Sequence, residues 1–425
     1  MVSPREVAMA YDEITALLGG WPGFELIGVQ REDPSATRSA PRIVLTLRAV
    51  PEHAKTCSRC GATALAGHDV TMREVRDLPI LEAETWLVLP RARVLCPQCG
   101  PTVEAVPWLD RYARMTTRLA EAIARLAEVL PIKHVARWFG VGWDTVKQID
   151  HRALERRLGP VDLAGLRVVA IDEFALHRGH RYATIAVDPL TKRVLWVGRG
   201  RGREDLRAFF TLLGPDGCAR LEAVIMDMST AFTEEVRASC PHVQIVYDLF
   251  HVVAKYGREV IDRVRVDETN RLGRALGRSR TRTALRRVIK GARWLLLRNR
   301  ATVTRRADRV RLRELLQANR ALFTVYVLKD DLTQLWRYRY PGAARRFWRD
   351  WYRRARASRI PALVHFATNL AARIDGVISH CRYPFHTGLL EGINNRIKVL
   401  KRMAYGYRDE AYFFLKIRAA FPGIP

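Results

Sequence analysis

Apolar residues recur every three or four positions through Leu119, Ile123, Leu126, Val129 and Leu130, the spacing of a helix with one buried face. Pro131 opens a second helix over residues 132–139, Gly140-Val141-Gly142 makes a tight turn, and a third helix runs from about 143 to 157. Val135, Ala136, Phe139, Val141, Val146 and Ile149 fall where two crossed helices pack, which is helix-turn-helix spacing. The third helix then presents Asp144, Thr145, Lys147, Gln148 and His151 outward, toward a major groove. An ordinary helical bundle would show the same stripe. Ahead of this region stand a short amphipathic helix around 6–18 and an alternating strand at 41–50, with Ile43, Leu45 and Leu47 on one face.

After residue 165 the pattern changes. Residues 166–174, 182–187 and 193–197 read as strands, 203–213 as a helix, and 221–226 and 244–247 as further apolar strands. Three antiparallel strands, a helix, then strand-helix-strand is the order of a ribonuclease H-like α/β domain. A late helix over 387–402 has Leu390, Ile393, Ile397 and Leu400 as its apolar stripe. The expected fold is therefore α/β: a ribonuclease H-like domain preceded by a zinc ribbon and a helical helix-turn-helix domain. The expected boundaries are an N-terminal helix and strand at 1–50, a zinc ribbon at 51–108, the helix-turn-helix at 111–158, a linker at 158–165, and the ribonuclease H-like domain at 166–425, which opens with strands and closes with helices.

The zinc expectation rests on two C-x-x-C knuckles, Cys57/Cys60 and Cys96/Cys99, each followed by Gly. Zinc takes four soft ligands in a tetrahedron, and each knuckle supplies two. Residues 84–90 and 91–95 between them read as strands. Four protein ligands leave no open position for water, so the site is expected to be structural. His53 and His68 are expected at the surface rather than on the metal. The seven cysteines, odd in number and without a leader-like N-terminus, do not suggest a disulfide framework.

Charge changes the picture most. The 425 residues carry 72 Lys and Arg against 44 Asp and Glu, a net +28. Residues 271–360 hold 27 of those cations and five acids (Asp308, Glu314, Asp330, Asp331, Asp350), so 27 − 5 = +22 lies in this stretch alone. An excess so one-signed suits phosphate neutralisation better than a merely solvated face. No apolar run is long enough to span a bilayer, and the cytoplasm is the expected compartment. Trp294, Trp336, Trp348 and Trp351 lie in this basic stretch and are expected mainly in its core.

The strand at 166–174 is expected to end in Asp172-Glu173, the strand at 221–226 stops at Asp227, and Glu391 sits on the late helix. A lone strand-end Asp is usually a turn former. Several acids at one edge repel and raise each other's pKa unless a cation lies among them. Oxygen ligands with open positions suit magnesium or manganese. On the late helix Glu391, Asn394, Asn395, Lys398 and Arg402 share a second face. Asp248 competes with Asp227 as a ligand, and Glu173 and Asp188 compete more weakly.

The quoted residues resemble a known family. Asp172-Glu-Phe-Ala with Arg178-Gly-His-Arg-Tyr182, Met226-Asp-Met228, Asp248-Leu-Phe-His-Val252, Gly388-Leu-Leu-Glu-Gly-Ile-Asn-Asn-Arg-Ile-Lys398 and the tail Lys401-Arg-Met-Ala-Tyr-Gly-Tyr407 look like bacterial insertion-sequence transposases of the ISL-three type. The resemblance implies a DDE transposase with Asp172, Asp227 and Glu391 as its catalytic and magnesium-binding (or manganese-binding) acids, and structural zinc on the four cysteines. It implies that the ribonuclease H-like domain is a catalytic domain interrupted by a long helical insertion at about 255–385, before the helix of Glu391. It implies metal-dependent cleavage at the ends of an insertion sequence, with the freed 3′-hydroxyl attacking target DNA. Asp144, Thr145, Lys147, Gln148, His151, Lys398, Lys401 and Arg402 are the expected DNA contacts. The partners implied are double-stranded DNA, as element ends and target, and further copies of the chain in a homo-oligomer on DNA, with no membrane. The role of Asp248 and His251 stays open. Two alternatives share these features: a non-catalytic DNA-binding regulator derived from a transposase, and a ribonuclease H-like nuclease without strand transfer.

Overall fold

The structure is a computed structural model that describes residues 4–36, 38, 40–63, 65–177, 179, 181–274, 280–298, 302–385 and 388–424. Arg178 and His180 of the basic turn, and Thr387 ahead of the late helix, lie outside the described residues. The chain divides into two compact units, one of residues 1–157 with 403–406, the other of 158–402 with 407–425.

The first unit begins with helix α1 (Pro4–Leu17). Its sheet holds β1 (Phe24–Glu32), β2 (Arg42–Ala49), β3 (Gly67–Ile80), β4 (Ala83–Cys96) and β5 (Gly100–Val103) in the order β1-β2-β4-β3, with β5 added to β4. β2 and β4 run parallel, and the other pairings are antiparallel. The strands flanking the knuckles and the N-terminal strands thus share one sheet. β4 continues through Pro90 instead of breaking there. β2 pairs only as far as Val88 and β5 only from Arg93, so at Pro90 β4 has a single neighbour, β3. A missing N–H is tolerated where a strand is unpaired on one side.

Helices α2 (Thr117–Val129), α3 (Ile132–Phe139) and α4 (Trp143–Leu158) follow. Thr116 caps α2, its hydroxyl accepting from Leu119 N–H at 3.4 Å, and Gly140 ends α3 at φ 61°, a left-handed position that favours glycine. Leu119, Ile123, Ala127, Val135, Ala136, Phe139 and Val146 form their common core, with Val141 and Ile149 packed on its rim. Asp77 of β3 ties this bundle to the sheet. Its Oδ1 accepts from Thr116 Oγ1 and Arg118 Nε, each at 2.7 Å, and from Leu78 N–H at 2.9 Å. Its Oδ2 accepts from Trp21 Nε1 at 3.0 Å and from Arg118 Nη2. Nearby, Arg76 Nη2 donates to Phe139 O at 2.8 Å.

The second unit has one sheet of β6 (Val168–His177), β7 (Arg181–Asp188), β8 (Arg193–Arg199), β9 (Ala223–Met226) and β10 (Gln244–Tyr247), ordered β10-β9-β6-β7-β8. β6, β7 and β8 are antiparallel, while β9 and β10 run parallel to β6. This is the ribonuclease H-like arrangement. Helix α5 (Arg203–Arg220) runs on past the expected end at 213, with non-helical backbone at Gly214 before Pro215. α6 (Thr230–Ser239) and α7 (Leu249–Tyr256) complete the α/β part.

The sheet is covered on both faces. Val169, Ile171, Val224, Met226, Ile245 and Tyr247 pack into one core with α5, α6 and the insertion. Val168, Ala170, Phe174, Ala223, Ile225 and Val246 pack on the other side with Leu390, Ile393 and Ile397 of the Gly388–Met403 helix and Phe413 and Ile417 of the Glu410–Ala420 helix. The period-2 alternation of a strand makes this division. The insertion continues α7 through a π-helical stretch, Gly257–Asp262, into a block of helices that ends with Ile374–Ile378. Trp348 and Trp351 are buried there and Trp336 packs beside them, as expected. Trp294 departs from expectation: it is 71 % exposed.

Asp77 titrates as a stabilising group. Burial raises its pKa, but hydrogen bonds from Arg118 and Thr116 outweigh this and hold the carboxyl below its ordinary value. A depressed folded pKa gives stability that is present above the unfolded value and lost as pH falls through the folded one. Asp77→Ala should therefore lower the unfolding free energy by about 3 kcal/mol near neutral pH, since it leaves Arg118 without its buried partner. Urea denaturation at pH 7 and again below about pH 4, where the difference should shrink, checks this.

Candidate functional site

Two clusters of functional side chains stand out, one in each unit. In the first, Cys57 and Cys60 precede β3, Cys96 ends β4, and Cys99 lies in the turn to β5. Gly61 and Gly100 have φ of 78° and 68°, so the residue after each knuckle is left-handed, which explains the repeated C-x-x-C-G. The four sulfurs lie within 4.8 Å of one another, and Cys60 and Cys96 Sγ are 3.5 Å apart. Four thiolates around zinc at about 2.3 Å would stand about 3.8 Å apart, so the donor set fits. Backbone N–H groups of Cys60 and Arg59 bring the Cys57 thiol down to about 6. The neighbouring Cys60 thiol, with burial, pushes Cys99 up to about 12. Full deprotonation of all four needs a cation. His53 instead contacts Glu104 at 3.1 Å, and His68 is exposed.

In the second unit the register of the parallel strands builds the site. Val168, Val169 and Ala170 of β6 stand opposite Ala223, Val224 and Ile225 of β9, a constant offset of 223 − 168 = 55. Met226 of β9 stands opposite Tyr247 of β10, an offset of 247 − 226 = 21. Continued to the strand ends, these offsets align Asp172 with Asp227 and Asp227 with Asp248. Alternation places all three on the face covered by the Gly388–Met403 helix. Apolar runs of β-formers carry β9 and β10 to this edge, where Asp227 and Asp248 follow them; Asp172 instead lies within β6, which runs on to His177 because its pairing with β7 continues past Ile185, so it does not end its strand as expected.

The hydrogen bonds differ along the row. Asp172 is 6 % exposed; its Oδ1 accepts from Glu173 N–H at 2.8 Å and its Oδ2 from Asn394 Nδ2 at 2.7 Å. Asp227 is half-buried, with Oδ1 accepting from Ser229 N–H at 2.9 Å. Asp248 is 4 % exposed and caps α7, accepting from Phe250 N–H at 2.6 Å. Burial first, then the charges of Asp227 and Asp248, push Asp172 up to about 6. His251 lies close enough to oppose that shift, and Asp248 raises the His251 pKa in turn.

Glu391 sits one turn before Asn394 on the same helix and is exposed. Among the described residues, the cysteines are the only group of three or more acidic, His or Cys ligands with atoms all within 4.8 Å. Asp172, Asp227 and Glu391 are thus not gathered into one closed cage. Adjacent strands alone are about 4.8 Å apart. A hard cation fits the donor chemistry nonetheless: the acids are oxygen ligands, and Asn394 Oδ1 is buried without a partner beside Asp172.

The weaker competitors have other occupations. Asp188 accepts from Leu190 N–H at 2.9 Å and Thr191 Oγ1 at 2.7 Å in a turn, and Glu173 pairs with Arg201 at 3.2 Å. On α4, Asp144 and Gln148 are exposed, whereas Thr145, Lys147 and His151 are half-buried. Lys147 Nζ lies 5.8 Å from the centre of the Trp143 ring, and His151 Nδ1 is 3.3 Å from Glu155. Lys398 and Arg402 are exposed, and Lys401 Nζ donates to Ala175 O at 3.2 Å. Asp150 is buried in α4 although sequence did not single it out. Its spacing four residues from both Val146 and Leu154 puts it on the helix's buried stripe, a signal that its charge outweighed.

Comparison with known proteins agrees with this division. A family profile described as a transposase, of the ISL3 DDE type, matches residues 169–417. One described as the helix-turn-helix domain of transposase family ISL3 matches residues 104–154. A third, described as the zinc-finger of transposase IS204/IS1001/IS1096/IS1165, matches residues 53–99. The transposase for insertion sequence element IS1001 of Bordetella parapertussis is 50 % identical over 411 residues, covering 96 % of this chain and 97 % of that protein. The transposase for insertion sequence element IS1557 of Mycobacterium tuberculosis is 29 % identical over 417 residues, covering 93 % and 91 %. This chain belongs to the ISL3 family of DDE transposases.

Proposed function

We propose that Asp172, Asp227 and Glu391 are the acids of the DDE site, and that they act on the ends of the chain's own insertion sequence. The observation that carries this reading is the strand register. It aligns Asp172 with Asp227 under the helix that bears Glu391 and Asn394. Divalent ions held there, magnesium or manganese, would stabilise the attacking and leaving oxygens of an in-line phosphoryl transfer.

The protein's part is positional. Asp172 and Asp227 offer carboxylate oxygens from two fixed strands. Asn394, the present partner of Asp172 Oδ2, must release that oxygen when a cation takes it. Glu391 approaches from the helix above, so this acid can adjust while the strand acids stay in place. Lys398 and Arg402 extend the same helix face toward a DNA backbone. Asp144, Thr145, Lys147, Gln148 and His151 of α4, with the zinc-bound knuckles as scaffold, read the terminal repeats. The basic insertion neutralises flanking phosphates. Cleavage frees a 3′-hydroxyl, which attacks target DNA at the same site, and two ends held together call for a dimer or larger assembly.

Incubating the protein with its element ends and a divalent ion tests this reading. Glu391→Gln, Asp172→Asn and Asp227→Asn should each lower single-turnover cleavage by at least about 10³-fold while end binding in a gel shift is retained. Cleavage at the wild-type rate by any of the three would reject that residue's role. Removing zinc with a chelator, or Cys57→Ser, should abolish end binding and lower the melting temperature of the protein, because metal binding in a four-thiolate site is folding energy.

Asp172 also gives a pH signature. Its folded pKa lies above the unfolded value, so its contribution is most favourable at low pH and is lost as pH rises from about 4 to about 6. Metal-free protein should lose roughly 1–3 kcal/mol over that window. Asp172→Asn should flatten the curve, as read by denaturant melts across pH.

A further inference from the structure

Two groups at the acid row have no part in the reading above, Asp248 and His251. Asp248 holds the third register position, yet both its oxygens are occupied. Oδ1 accepts from Phe250 N–H at 2.6 Å, and Oδ2 lies 3.4 Å from His251 Nδ1. His251 is the residue three positions on, so the first turn of α7 folds its ring back over the carboxylate that caps the helix. A carboxylate faced by an imidazole has little to give a metal ion. Asp227 differs: it is half-buried, and its neighbour is a backbone amide.

The ring itself is poised rather than fully engaged. His251 Nδ1 is buried and has no aligned hydrogen-bond partner, so its approach to Asp248 is an ion-pair distance only. One third of the side chain is exposed, and the open side is therefore the one away from Asp248. Asp172, Asp248 and Asp227 all act electrostatically on this ring. A phosphodiester brought to the row meets several carboxylates and needs fixed positive groups beside them. In phosphoryl transfer the negative charge is spread over the equatorial oxygens, where a preorganised donor stabilises it.

We propose that His251, its Nδ1 turned toward Asp248, is a substrate-contacting residue of the transposition reaction: Nε2–H donates to a non-bridging oxygen of the scissile phosphate. Asp248 is a positioning residue and not a metal ligand. The proposal rests on the reading that Asp172 and Asp227 hold the metal.

The test uses the full chain with variants His251→Ala, His251→Gly, Asp248→Asn and Asp227→Asn. Three quantities are read: single-turnover cleavage of element ends, end binding, and Mn2+ affinity by calorimetry. His251→Ala should lower cleavage about 10²- to 10³-fold, the loss seen when one preorganised donor is removed. Its Mn2+ affinity and end binding should stay within about twofold, which a collapsed site would not allow. Imidazole in the buffer should restore part of the rate to His251→Gly. Asp248→Asn keeps the helix cap and should cut cleavage by about tenfold with Mn2+ affinity unchanged. Wild-type cleavage by His251→Ala, or an Asp248→Asn loss of Mn2+ affinity equal to that of Asp227→Asn, overturns the proposal. Full Mn2+ affinity in Asp227→Asn overturns instead the underlying reading of the metal pair, and the proposal with it.

Discussion

Carboxylates at neighbouring positions on adjacent strands repel one another, and the second unit is arranged around bearing that repulsion. Strands β6, β9 and β10 are apolar on both faces, so their backbones cannot shift to relieve it without opening two cores. Protonation answers instead: burial first, with the charges of Asp227 and Asp248 added to it, lets Asp172 hold its proton up to about 6 in the absence of a cation. A site of this kind is unfavourable when empty and favourable when filled. On the reading proposed for these acids, that asymmetry is how a rigid sheet would turn burial energy into affinity for a divalent ion.

The covering helix adds a second layer of control. Its apolar stripe of Leu390, Ile393 and Ile397 fixes which way the other face points. Asn394 then satisfies one oxygen of the most deeply buried acid, while Glu391 stands exposed one turn away. Strand acids are set by the sheet's hydrogen bonds, whereas a helix acid is set by side-chain packing, which gives more easily. The division leaves the more adaptable acid, Glu391, on the exposed side of the row.

Much of this was legible from spacing. The helix-turn-helix stripe, the apolar strand that stops at Asp227 and the two-faced late helix each follow a strong period, and each appears where expected; Asp172 lies inside its strand because pairing with β7 extends β6 to His177. The weaker signals were local exceptions. β3 is exposed over its first half and carries Thr71, Arg73 and Glu74, so it has no apolar alternation to read. β1 has only Phe24 and Leu26 buried before its polar end. Trp294 lies outside the insertion's core although its neighbours in composition lie within it, because which face of a short helix packs is decided by partners far along the chain. The row of three aspartates was half visible: the apolar strands that stop at Asp227 and Asp248 were evident, but the alignment of Asp248 with Asp227 needs the register between strands, which no single segment encodes.

Asp77 has a bearing on how DNA is met. It joins the Trp21 ring, the N-terminus of α2 and the sheet that carries the knuckles through buried hydrogen bonds, and Arg76 holds the end of α3 to the same strand. Ribbon and α4 are thereby fixed like two marks on a ruler. On the proposed reading, in which both serve end binding, the base pairs touched by the two marks lie at one separation along the duplex. Since each base pair turns B-DNA by about 35°, a single extra pair between the two contacted stretches would swing one of them out of reach.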